Sequence, residues 1–320
     1  MTVAWVLGSG GLLGAALCRV LRSRGTPLFS PAAGFNWTSG TGLAAQMEAA
    51  LQTFAARAVV AGRWEIYWAA GVGTMGSPEE ALAAETRALV HLLQLVESEP
   101  RLVGVSGAVA LASSAGAIYA GSRDDIITEN TQPGPTTAYA REKLKQEAVL
   151  EAFVASNARV QALVARISTL YGPGQSEGKK QGLLAHIARS MLRNQPIQIY
   201  VPYDTLRDYI FCDDAAAAIV NALPRASDGK RFEMRIVASE HPVTIAEIVS
   251  IFKRIARRAP RVVTSASKLS QLYSRRVQFR STVEPGHSRP RGGSLVVGIA
   301  RLMSAERAAY ARASIASRVA

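Results

Sequence analysis

Tyr139 and Lys143 stand four residues apart in Tyr139-Ala-Arg-Glu-Lys143, the spacing that brings two side chains onto one face of a helix. A phenol with its ordinary pKa of about 10 is a poor base at neutral pH, but an ammonium one turn away favours its anion, as an oxidised nicotinamide would. Such a tyrosine can take a proton from a hydroxyl while hydride leaves for a cofactor. The pair alone is a common surface arrangement, so its surroundings decide. Ser113-Ser114 closes an apolar run, and open parallel sheets present ligands outside the carboxyl ends of their strands. Ser114 is therefore expected to hydrogen-bond a reacting hydroxyl and hold it against Tyr139.

A second group of residues is suited to binding. Gly8-Ser-Gly-Gly-Leu-Leu-Gly14 follows the apolar run Val3–Leu7 and precedes a helical stretch. Glycines allow a tight turn and let the backbone approach a pyrophosphate, while the helix N-terminus offers unpaired N–H groups and a favourable dipole. A carboxylate some 20 residues further on normally holds the ribose hydroxyls of NAD. Here the second strand is expected to end at Ser30-Pro31, and the first acid after Gly14 is Glu48. No Arg or Lys lies between Gly25 and Arg57 either, so the usual signature of NADP is also missing.

The elements that must position these groups alternate, in the first half, between short apolar strands and longer helices, the pattern of a parallel sheet covered by helices. Strands are expected at Val3–Leu7, weakly at Pro27–Ser30, and at Glu65–Ala70, Val103–Ser113 and Val160–Ile167. Helices are expected at Leu12–Arg24, Leu43–Arg57, Pro78–Ser98 and Ala138–Ser156. Elements shorten after Tyr171, with helices at Leu183–Arg193, after Asp213-Asp214 and at Thr244–Arg257, where Thr244 and Glu247 have capping-box spacing. Residues 285–293 read as a loop and 301–320 as a last helix. The expected fold is α/β, a Rossmann-type doubly wound parallel sheet over 1–170 with a smaller interleaved C-terminal substrate lobe over 171–320.

Composition narrows the function classes. The net charge is +13, yet residues 1–160 hold 12 basic and 13 acidic side chains while residues 161–320 hold 25 and 11. A basic half attracts anionic ligands, but no nucleic-acid-binding module accompanies it, and no nucleic-acid partner is expected. Two separated cysteines, Cys18 and Cys212, indicate neither a disulfide framework nor a metal site and fit a reducing cytoplasm. The uncharged run Leu102–Ser122 is broken by Gly and Ser and reads as strand and turn, not as a membrane span. Nothing resembling a signal peptide precedes Val3.

Taken in order, Gly8-x-x-Gly11-x-x-Gly14, Ala69-Ala70-Gly71, Ser113-Ser114-Ala-Gly-Ala-Ile-Tyr119, Tyr139-x-x-x-Lys143, Arg166-x-x-x-x-Tyr171-Gly-Pro173 and Arg207-Asp-Tyr-Ile-Phe-Cys-Asp213-Asp214 resemble the NAD-dependent epimerase/dehydratase family of extended short-chain dehydrogenases/reductases, the family of UDP-glucose 4-epimerase-like sugar-nucleotide enzymes. The resemblance implies NAD or NADP, with NAD favoured. Gly8, Ser9, Gly10, Gly11, Leu12, Leu13 and Gly14 would hold the pyrophosphate, Ala69, Ala70 and Gly71 would line the cofactor, and Lys143 would hold the nicotinamide ribose beside Tyr139 as base. Ser114, Thr169, Arg207 and either Arg276 or Arg280 would meet a nucleotide-sugar substrate, the arginines at its diphosphate. The chain departs from the family at Glu85-Thr86 and at Thr169, where asparagines are usual. It also has Ala115-Gly116 where dehydratases carry two acids. The expected activity is that of a cytoplasmic NAD(P)-dependent epimerase or reductase, with room for a homodimer. The alternative is a non-catalytic dinucleotide-binding sensor or scaffold.

Overall fold

Val3–Leu7 is apolar and buried at every position, which suits a strand inside a sheet covered on both faces. It forms β1 of a computed structural model that describes residues 1–37, 40–175, 182–223, 231–264, 277–283 and 294–319. α1 (Leu12–Ser23), β2 (Leu28–Phe29), α2 (Gly40–Ala61), β3 (Arg63–Trp68), α3 (Glu79–Ser98), α4 (Pro100–Val103), β4 (Ser106–Ser114), α5 (Ala115–Ile118), α6 (Ala138–Ser156) and β5 (Val160–Ile167) follow. Then come β6 (Thr169–Tyr171), α7 (Leu183–Leu192), β7 (Ile197–Ile199), β8 (Leu206–Arg207), β9 (Tyr209–Phe211), α8 (Cys212–Ala222), β10 (Phe232–Val237), β11 (Val243–Thr244), α9 (Ile245–Ala256), β12 (Val262–Thr264) and α10 (Leu295–Val319).

The main sheet is parallel throughout, in the order β10-β5-β4-β3-β1-β2. From β1 the chain moves outward to β2 and then returns to the other side of β1 as β3. This reversal opens a crevice outside the carboxyl ends of β1 and β3, where doubly wound sheets bind ligands. Leu17 and Leu21 of α1 pack with Ala215 and Ile219 of α8 on one face. Met47 and Phe54 of α2 and Leu89 and Leu92 of α3 cover the other, against Trp5, Trp64 and Trp68. The C-terminal half enters the sheet through β10, and its own strands pair in twos, β6 with β9, β8 with β11 and β7 with β12.

Several sequence boundaries move for local reasons. The second strand contracts to Leu28–Phe29 between Pro27 and Pro31, and Ala4 N–H donates to the Pro27 carbonyl at 2.9 Å. Val103 ends α4 instead of starting β4, because Pro100 occupies the first helical position and the Glu99 carboxylate caps it from Arg101 N–H. β4 runs on to Ser114, which pairs with Ile167. The third strand starts at Arg63 and ends at Trp68, leaving Ala69-Ala70 in the following loop. The helix expected at Leu43–Arg57 extends to Gly40–Ala61, and the last one begins at Leu295. The capping box at Thr244 and Glu247 is present. The 285–293 loop and Arg276 lie outside the described residues.

One polar cluster fastens α6 to the sheet. Glu147 on its inner face accepts two short bonds from Arg166 of β5, from Nη2 at 2.6 Å and Nε at 3.1 Å. The Ser113 hydroxyl donates to the same carboxylate at 2.5 Å, and Arg166 Nη1 donates to the Tyr119 phenol at 2.5 Å. Both charged side chains are under a tenth exposed. Removing one partner of a buried pair strands the other charge, at about 3–5 kcal/mol, whereas exposed pairs are worth about 0–1 kcal/mol. Glu147→Ala should therefore lower the unfolding free energy by about 3–5 kcal/mol in urea titrations. Glu80→Ala, which breaks the exposed Arg87–Glu80 pair, should change it by less than about 1 kcal/mol. Equal effects would refute the ranking.

Candidate active site

The glycines of the first loop divide into two groups. Gly8 has φ +83°, and a Cβ there would stand 2.6 Å from the Ala69 carbonyl oxygen and 2.7 Å from Ala70 Cα. A Cβ on Gly14 would collide with the Gly8 carbonyl. These two positions close the turn and let the loops after β1 and β3 touch. Gly10, by contrast, has nothing within 4 Å of the Cβ position, and Gly11 only the Gly8 oxygen at 3.3 Å. The backbone at Gly11 is extended, no side chain caps α1, and no acid lies in its first turn. Open space thus lies over a helix N-terminus whose first amides lack intrahelical partners. This cradle fits the diphosphate of a dinucleotide. Ser9 is exposed, Leu12 is half-buried, and Leu13 is buried in the core, so Leu13 can offer a ligand only its backbone.

Thr137 caps α6, its hydroxyl accepting from Ala140 N–H at 3.2 Å, and so sets Tyr139 in the first turn. The Ser114 hydroxyl lies near enough to the Tyr139 phenol to favour its anion. Lys143 Nζ lies 5.8 Å from the centre of the Tyr139 ring and donates to Gln146 Oε1 at 3.0 Å and to the Ala112 carbonyl at 3.4 Å. Gln146 Nε2 in turn donates to Thr86 of α3 at 3.2 Å. The two neighbouring serines have separate roles, since Ser113 is taken by Glu147 and only Ser114 reaches the phenol. Sequence reading missed Gln146 and Glu147, although both lie at helical spacing from Lys143 on the same face.

At the phenol, one expected influence meets an opposing one. Burial and the nearby Glu85 carboxylate push the Tyr139 phenol up to about 12, against a smaller opposing effect of the Ser114 hydroxyl. Burial pulls the Lys143 ammonium down, against the charges of Glu85 and Glu147, which raise it. Glu85 projects from α3 into the loop after β3 and accepts from Val72 N–H at 2.6 Å and Gly73 N–H at 2.7 Å. The departure at position 85 thus places an anion beside the phenol that the sequence expected a cation to ionise.

On the substrate side, Thr169 is exposed at the start of β6, its N–H donating to the Asp208 carbonyl at 3.0 Å. Arg207 is half-buried on β8, with Nη1 donating to the Leu206 carbonyl at 2.8 Å. Between them in the fold, the buried Asp208 carboxylate accepts from the hydroxyls of Ser168 at 2.6 Å and Ser239 at 2.9 Å, which ties β5, β8 and the end of β10 together. Arg280 is exposed, anchored through its N–H to the Ile127 carbonyl at 2.9 Å. Among the described residues no group of His, Cys, Asp or Glu could hold a metal, and no helix is long and apolar enough to cross a membrane.

A model of the NAD dependent epimerase/dehydratase family matches residues 4–237. The chain is 35% identical over 98 residues to dTDP-L-rhamnose 4-epimerase of Burkholderia thailandensis, a match that covers 30% of this chain and 27% of that protein. It spans less than half the length of the curated relatives it matches. Its fold is similar to that of UDP-glucose 4-epimerase of Thermus thermophilus in complex with NAD, with a TM-score of 0.76 at 21% identity over 97% of this chain and 100% of the other. It is also similar to RMD of Pseudomonas aeruginosa complexed with NADPH, with a TM-score of 0.71 at 19% identity over the same shares.

Two outcomes follow from this geometry. Gly11→Val adds bulk over the cradle, with its Cβ tight against the Gly8 oxygen at 3.3 Å, so the chain should stay folded, with thermal unfolding lowered by no more than an N-cap loss, while calorimetric dinucleotide binding is lost. Unchanged affinity would place the dinucleotide elsewhere. Glu85→Gln removes a charge that opposes a second anion, so Tyr139 should ionise at lower pH than in the parent. Ultraviolet difference titration against Tyr139→Phe reads this shift, and an unmoved titration would show that Glu85 does not act on the phenol.

Proposed function

This chain belongs to the NAD dependent epimerase/dehydratase family, and from that premise we propose that it is a sugar-nucleotide epimerase or reductase acting at a sugar hydroxyl or ketone carbon. The observation that carries this reading is the juxtaposition of Tyr139 with Ser114 at the end of β4 and with Lys143, whose Nζ lies 5.8 Å from the phenol ring, one turn further along α6. A nicotinamide cofactor over the Gly8–Gly14 cradle would supply or accept the hydride. The chain's own residues do the remaining work. Lys143 spends two of its three N–H groups on Ala112 and Gln146, which leaves one for a ribose hydroxyl. Ser114 holds the sugar oxygen, and Tyr139 moves the proton there.

A phenol pushed up to about 12 keeps its proton at neutral pH, so the protein alone favours the acid role, delivering a proton to a ketone oxygen. Dehydration is disfavoured, because Ala115 is fully buried and Gly116 has no side chain with which to eliminate water. Arg207 and Thr169 are the proposed substrate contacts, with Arg280 reaching the diphosphate from the other side. The likeness to a dTDP-sugar epimerase and to a UDP-glucose 4-epimerase fold supports nucleotide sugars as the substrate class. Glu85, which opposes ionisation of Tyr139, favours a second reading as a non-catalytic dinucleotide-binding sensor.

Tyr139→Phe deletes only the ionisable oxygen. Turnover of nucleotide sugars should fall ~10²–10⁴-fold, the usual contribution of general acid–base catalysis, while calorimetric cofactor affinity stays near that of the parent. Lys143→Met should reduce both. Parental turnover in Tyr139→Phe would assign the proton to another group. A parent that binds dinucleotide but converts no nucleotide sugar in a broad panel would support the sensor instead.

A further inference from the structure

Beside the glycine cradle, between the carboxyl ends of β1 and β2 and the flank of α1, lies a cavity of about 270 Å³. Ser9, Arg19, Arg22, Ser30 and Pro31 line it against the ring of Phe29. Ser9 belongs to both the cradle and the cavity wall, so the two spaces adjoin. Two of the lining side chains are cationic and none is acidic. Arg19 and Arg22 are three residues apart on α1, which puts them on one side of the helix. Both of their charges act on the buried Cys18 thiol of the same wall.

The two cations are not equivalent. Arg19 is held by Asp213 of α8, with Nη2 at 2.5 Å and Nε at 3.1 Å from the same carboxylate oxygen, so its charge is largely balanced. Arg22 is exposed, and among the described residues its guanidinium has no hydrogen-bond or ion-pair partner. A dinucleotide whose pyrophosphate sits on the glycine loop carries its adenosine ribose toward the end of the second strand. There an acid selects the free hydroxyls, or an arginine accommodates a 2′-phosphate. In this chain that strand end is Ser30-Pro31. A carboxylate that would repel a phosphate is missing from the lining, and an unpaired guanidinium is present.

We propose that this cavity is a 2′-phosphate subsite in which Arg22 is the charged ligand and the Ser9 and Ser30 hydroxyls are additional donors, so that the chain prefers NADP(H) to NAD(H). The inference rests on the dinucleotide-binding reading above and goes beyond it by assigning the cofactor. Guanidinium is suited to the task because it stays charged and can make two parallel bonds to phosphate oxygens.

The test uses the full chain freed of co-purified nucleotide, with calorimetric titration of NADPH and NADH, and of adenosine 2′,5′-bisphosphate and AMP as fragments. NADPH and the bisphosphate should each bind more tightly than their partners by about ten- to a hundredfold, the range of a charge-assisted hydrogen bond. Arg22→Met should remove that preference, lowering NADPH affinity far more than NADH affinity, and Ser30→Asp should reverse it. Arg24→Ala changes a neighbouring arginine that bonds Asn221 outside the cavity, and it should retain the preference. Equal parental affinity for NADPH and NADH, or a preference that survives Arg22→Met, would overturn the subsite and leave the dinucleotide reading intact. So would an equal loss in Arg24→Ala, which would assign the effect to general surface charge. Failure of either dinucleotide to bind would overturn the dinucleotide reading and the subsite with it.

Discussion

The bidentate pair between Glu147 and Arg166 holds α6 against the sheet and so fixes the geometry of the candidate site. Each charge costs several kcal/mol to remove from water, and only short, well-directed bonds with full hydrogen-bond satisfaction offset that. Here the Ser113 hydroxyl and the Tyr119 phenol complete the set. The pair joins α6, which carries Tyr139 and Lys143, to β5, and through Ser113 to the end of β4. It also decides which of two adjacent serines meets the phenol. Ser113 is committed to Glu147, and Ser114, the last residue of β4 at the turn into α5, is the serine beside Tyr139.

A second constraint is the contact between the loops that leave β1 and β3. Gly8 approaches the Ala69-Ala70 backbone more closely than any side chain would allow, which narrows the crevice at the reversal of strand order. The cradle amides and Arg22 favour anions on one side of that crevice. On the other side Glu85 takes the amides of Val72 and Gly73 and sets a negative charge near Tyr139 and Lys143. The site is thus polarised along its length. The end at the glycine loop is electropositive, and the end at Tyr139 holds its phenol neutral.

Much of this was legible in the sequence, and for identifiable reasons. The strand, glycine loop and helix at residues 3–23 follow from local rules of burial, turn geometry and helix initiation. The i,i+4 spacing of Tyr139 and Lys143 needs only that Ala138–Ser156 be helical. Boundaries failed where local chemistry competed, as at Val103, where Pro100 and the Glu99 cap made a helical turn out of residues apolar enough for a strand. The inner face of α6 was harder to read, because Lys143, Gln146 and Glu147 are buried there and mask the apolar periodicity that marks a core face.

The sequence by itself determined the fold class, the glycine cradle and the Tyr139–Lys143 pair, because each depends on residues within one or two turns or one loop of each other. Only the tertiary structure decided the electrostatics. The expectation that Lys143 would ease ionisation of Tyr139 considered one neighbour on one helix, whereas Glu85 arrives from α3, more than fifty residues earlier in the chain. No cation follows the second strand before Arg57, yet Arg22 of α1 lines the cavity at that strand, because the helix packs beside it. Coulomb interactions depend on distance through space and on local burial, and sequence separation carries neither.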